Sequence, residues 1–127
     1  MYISLTLAAA LLIATGIVHS VLGEWLIFRH LRQGTLVPQL AAPPLRSRNV
    51  RILWATWHLA SVLGWGFAAV LLGMAAAPGV PVQSLVLKSL SGASALGAIL
   101  VLVGTNGRHP GWIALSAVAA LSWAALP

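Results

Sequence analysis

Residues 2–26 read YISLTLAAALLIATGIVHSVLGEWL, and how this stretch is read decides the fold. From Tyr2 to Leu22 it holds no charged residue. At a rise of about 1.5 Å per residue, roughly 20 residues cross a hydrocarbon core of about 30 Å. A cleaved signal peptide would have a basic leader, a shorter apolar region and a following A-x-A site. This stretch has none of them, so the expectation is a retained transmembrane helix. It also carries His19 and, close to its end, Glu24, the only acidic residue of the chain.

The composition supports the same reading. Of 127 residues, 60% are hydrophobic and 6% charged, whereas soluble domains carry about 25% charged residues. The length bounds the chain to one domain. The absence of cysteine excludes disulfides and thiolate metal sites.

Three more apolar segments follow, at about 52–74, 84–104 and 110–126. Pro78, Gly79 and Pro81 separate the second from the third. "GTNGRHPGW" (104–112) separates the third from the fourth, with Pro110 suited to the first turn of a helix. The longest connection, about 28–51, is the only extramembrane segment of any size. The expected fold is an all-α integral membrane four-helix bundle, a monomer or small oligomer forming a single domain.

Orientation follows from the cations. Arg29, Arg32, Arg46, Arg48 and Arg51 lie in the first connection and Arg108 in the third; Lys88 is the exception. The positive-inside rule puts those two connections in the cytoplasm and both termini outside, as for a multi-pass bacterial inner-membrane protein. Trp25, Trp54 and Trp112 mark the same ends of three helices, as an interfacial aromatic belt requires. The arginines therefore read as contacts to anionic lipid headgroups, worth about 1 kcal/mol each. No basic face interleaved with stacking aromatics is present, so nucleic acid is not an expected partner.

At that end the ionisable groups converge. His19 on the first helix and His58 on the second fall at matched depth, with Glu24 and His109 near the interface. Trp54, His58, Ser61 and Trp65 share one face of the second helix. A single histidine there can simply satisfy a serine or a carbonyl, and Glu24 can simply pair with Arg29 or with an arginine across the bundle. Ionisable residues at membrane depth are nonetheless rare and usually functional. The expectation is a site built from His19, His58, His109 and Glu24, lined by Ser20, Ser61, Trp57, Trp65, Asn106 and Arg108. His30 is expected to be solvated.

Imidazole with carboxylate suits a transition metal. A b-type haem between His19 and His58, or a magnesium chlorin on one histidine, uses the same chemistry. An accessory subunit of a larger membrane complex and a small proton-coupled transporter remain as alternatives. The pattern "HSVLGEW", "RILWATWHLASVLGW", "RHPGWIAL" resembles a group of small bacterial four-helix inner-membrane proteins. The resemblance implies this architecture and brings no activity with it.

Overall fold

A computed structural model describes residues 2–127. It contains α1 (Tyr2–Leu26), α2 (Ser47–Ala76), α3 (Val82–Thr105) and α4 (Gly111–Ala124). The first three are long and apolar enough to cross a membrane. Each helix packs along its neighbour in chain order, α1 on α2, α2 on α3 and α3 on α4. The bundle is thus a sequential row of antiparallel hairpins.

Two boundaries differ from the sequence expectation. α2 begins at Ser47 rather than near residue 52, because its polar first turns, SRNVR, are helical although not apolar. Its 30 residues extend about 45 Å, more than a hydrocarbon core needs. α4 has 14 residues against the expected 17 of 110–126 and spans only about 21 Å. Pro110 is its N-cap, and the helix stops before Leu126–Pro127, where the residue preceding a proline is driven out of the α region.

Large apolar side chains are exposed along every helix, among them Ile3, Leu11, Phe67, Leu96 and Trp123. A soluble monomer does not expose apolar surface on this scale. The apolar core lies instead at one end, which we call the basic end. There Phe28, Val37, Trp54, Ala55 and Val101 are buried together, flanked by Trp57, Trp112 and Leu115.

Phe28 and Val37 belong to the connection between α1 and α2. That segment starts with a 3-10 turn (Phe28–Leu31), and the Leu31 carbonyl accepts from the amides of Gln39 and Leu40. The chain is thereby folded back on itself, and the two apolar residues plug it into the helix ends. The connection is a docked cap over the basic end.

Candidate functional site

Glu24 lies in the last turn of α1 and is the centre of the basic end. Its Oε1 accepts from Trp54 Nε1 at 2.5 Å and lies within hydrogen-bond distance of His58 Nε2, at 2.9 Å. Its Oε2 takes an ion pair from Arg32, delivered by the docked connection. The Glu24 side chain retains 30% exposure and that of His58 14%, so the pair sits at the edge of the protein interior. Trp54 and His58 are one helical turn apart on α2, which is why both reach a single carboxylate. Their rings meet edge to face at 4.9 Å.

From His58 a file of hydrogen bonds runs along the α1–α2 contact. His58 Nδ1 lies 3.0 Å from Ser20 Oγ, Ser20 Oγ 2.8 Å from Ser61 Oγ, and Ser61 Oγ 2.9 Å from the Gly16 carbonyl. A carbonyl only accepts, and a hydroxyl has one hydrogen to give. Ser61 therefore donates to Gly16, Ser20 donates to Ser61, and Ser20 Oγ accepts from His58 Nδ1–H. The direction of the file is fixed at its far end. The second ring nitrogen, Nε2, faces a carboxylate oxygen that already accepts from Trp54, while its twin accepts from Arg32. With Nδ1 committed, the Nε2–Oε1 contact at 2.9 Å is the one bond of the file whose proton can sit on either partner.

Two tryptophans lock the register of α1 on α2. Trp57 Nε1 donates to the His19 carbonyl at 2.9 Å, and Trp65 Nε1 to the Ile13 carbonyl at 3.3 Å. Each indole occupies a notch left by a glycine. A Cβ on Gly23 would lie 2.1 Å from Trp57 Nε1, and one on Gly16 2.4 Å from Trp65 Nε1. Trp57 and Trp65, expected to line a site, are wedges of the helix contact.

The four ligands expected from the sequence are not brought together. Among the described residues no group of three His, Asp or Glu side chains is placed to hold a metal. Only Glu24 and His58 meet. His19 turns aside to stack on Trp57, with ring centres 4.4 Å apart and planes 7° from parallel, and its Nε2 is buried without a partner. His109 is exposed in the turn before α4 and accepts the Gly111 amide through Nδ1 at 3.1 Å. Both ring nitrogens of His58 are engaged by protein groups, Nδ1 with Ser20 and Nε2 with Glu24. Ser20 and Ser61 do lie beside His58, while Asn106 and Arg108 belong to a separate cavity described below.

The partner of Glu24 is Arg32, not Arg29. Arg29 lies over the Trp25 ring at 5.4 Å, and its Nε donates to exposed His30. The sequence reading missed Arg32 and Trp54 as partners of the carboxylate. Trp54 had a signal, since it lies four residues before His58 on the same face. Arg32 had none, because the turn that returns it to α1 depends on long-range docking of Phe28 and Val37.

Comparison of the chain with protein-family models, curated proteins and solved structures finds no match.

Proposed function

We propose that this is a multi-pass protein of the bacterial inner membrane whose working centre is the Glu24–His58 pair, a site that holds and releases one proton at the cytoplasmic face. The observation that carries the reading is the fixed direction of the Gly16–Ser61–Ser20–His58 file, which commits Nδ1 as a donor and leaves one exchangeable proton between Nε2 and Glu24. When that proton leaves, a nitrogen lone pair faces a carboxylate oxygen across 2.9 Å. An attraction between α1 and α2 becomes a repulsion. Proton binding is thereby coupled to helix packing, the element a small proton-coupled transporter or a proton-responsive subunit needs.

Nitrogen NMR of histidine-labelled protein in lipid tests this reading, with His58→Gln identifying the signal. His58 is expected to carry hydrogen on Nδ1, donated to Ser20, and Glu24→Gln to change the Nε2 signal. A bare Nδ1 at His58 in the wild-type protein, or an Nε2 signal indifferent to Glu24→Gln, overturns the reading.

A second reading has one observation behind it, the unpartnered Nε2 of His19. Thr15, Gly16 and Ser61 line a cavity of about 220 Å³ beside it. A single imidazole is enough to ligate a metal or the metal of a tetrapyrrole. Optical absorption and elemental analysis of the purified protein, beside His19→Ala, decide it. A stoichiometric metal or pigment lost in the variant establishes the second reading, and a colourless, metal-free wild-type protein removes it.

A further inference from the structure

The arginines of the basic end do not act alike. Arg32 is held by Glu24, and Arg29 lies over Trp25. Arg48, Arg51 and Arg108 instead line one cavity of about 480 Å³ between the start of α2 and the α3–α4 turn, together with Asn106 and His109. No carboxylate can neutralise them, because the only acidic residue of the chain is Glu24, already bonded to Arg32, Trp54 and His58.

The cavity is also held in shape. Arg51 Nε donates to the Gly104 carbonyl at 2.8 Å and its Nη2 to Asn106 Oδ1 at 2.7 Å, which ties α2 to the end of α3. Asn106 is itself fixed in the left-handed region at φ 51°. The His109 Nδ1 accepts the Gly111 amide, so the ring hydrogen of neutral His109 is on Nε2 as a donor. α2 begins here with no side-chain cap on its first-turn amides and no acidic residue among them. Three cations, an imidazole donor and the positive end of a helix thus surround one space.

We propose that this cavity binds a phosphate group. Guanidinium forks match the oxygens of phosphate; those of Arg48 and Arg108 are uncommitted, Arg51 adds its charge while tied to Gly104 and Asn106, and three cations without an internal counter-ion call for an anion of more than one charge. The group can be the headgroup phosphate of an anionic lipid or that of a soluble compound. This inference is independent of the Glu24–His58 reading, since the two sites share no residue.

The test uses the full chain in phosphatidylcholine nanodiscs, with phosphatidic acid in one arm and inorganic phosphate in the other, both followed by phosphorus NMR. The variant is Arg48→Gln/Arg108→Gln, whose guanidinium groups hold no hydrogen bond among the described residues, and the control is Arg29→Gln/Arg46→Gln, which removes the same charge outside the cavity. Saturable binding is expected in at least one arm, weakened roughly tenfold or more by the cavity variant and little changed by the control. Binding of phosphatidic acid alone identifies a lipid headgroup, and binding of inorganic phosphate a soluble ligand; either supports the proposal. Equal weakening by both variants, which reports net charge alone, or no saturable binding in either arm, overturns it. Circular dichroism of each variant confirms that the helices are intact.

Discussion

The contact between α1 and α2 and the contacts on the two sides of α3 are built on different principles. Between α1 and α2, side chains exchange hydrogen bonds along the interface, from Glu24 with Trp54 and His58 to Trp65 with the Ile13 carbonyl. Apart from the Arg51 bonds to Gly104 and Asn106 at its end, α3 meets its neighbours mainly through small residues. A Cβ on Gly66 would lie 2.9 Å from the Ala93 methyl, and one on Gly104 2.9 Å from that of Ala55. Across α3 and α4, among the described residues, a lone side-chain bond runs from Ser91 to the Ala119 carbonyl at 2.8 Å. In lipid there is no hydrophobic force to bring helices together, so association rests on close packing, hydrogen bonds or both. Close packing of small residues holds α3 as a scaffold. The hydrogen-bonded contact does more, because polar groups left unpaired in an apolar medium penalise every other register of α1 on α2.

The largest expected effect probes that contrast at a glycine. Gly23→Leu places a side chain where the Trp57 indole sits, whereas Gly92 has nothing within 4 Å of a built Cβ. Gly23→Leu is expected to destabilise the detergent-solubilised protein by about 3 kcal/mol or more, since overpacking adds to the loss of the Trp57–His19 bond. Gly92→Leu is expected to stay within about 0.5 kcal/mol of wild type. Denaturation in mixed micelles, followed by tryptophan fluorescence, measures both. Equal effects would mean that α1 is not held by its wedges.

Removing the carboxylate comes next. Glu24→Gln cannot satisfy Arg32 and His58 as an anion does, and a cost of about 2 kcal/mol is expected, moderated by the partial exposure of the pair. Arg32→Gln leaves Oε1 bonded to Trp54 and His58 and is expected to cost less than Glu24→Gln. The order of the two variants in the same unfolding assay is the check. A reversed order would place the strength of the site in the docked connection rather than in the helix contact.

How much of this the sequence made legible depended on the range of the interaction. Three helices long and apolar enough to cross a membrane were plain in the sequence, because span length follows from bilayer thickness residue by residue, while the fourth is shorter than expected. So was the shared face of Trp54, His58 and Ser61, which helical periodicity imposes. The convergence of Glu24 with His58 was visible as matched depth, but that of His19 and His109 was not real. Depth fixes height along the bundle and says nothing of rotation about the helix axis. Rotation is set here by Gly16 and Gly23, which admit two indoles and turn the His19 ring onto Trp57 instead of toward Glu24. The small residues of α3 divide in the same way: Ala93, Gly97 and Gly104 are buried, while Gly92 is exposed.

The smallest expected effects separate a network from a single bond. Ser91→Ala removes one donor, and the Ala119 carbonyl it leaves is still within the hydrogen-bonding frame of α4. Bonds of this kind in membranes average about 0.6 kcal/mol, and a loss near that value is expected. Ser61→Ala removes the group that receives the Ser20 hydrogen and gives one to Gly16, so Ser20 is freed to reverse and donate to His58 Nδ1. Its cost should exceed that of Ser91→Ala, at about 1 kcal/mol or more. The distinguishing readout is the histidine: in Ser61→Ala the His58 Nδ1 is free to lose its hydrogen, and nitrogen NMR should report a change there. Ser91→Ala should leave His58 untouched. If both serines cost the same and neither alters His58, the file is a set of independent bonds, and the difference between the two interfaces is one of number rather than kind.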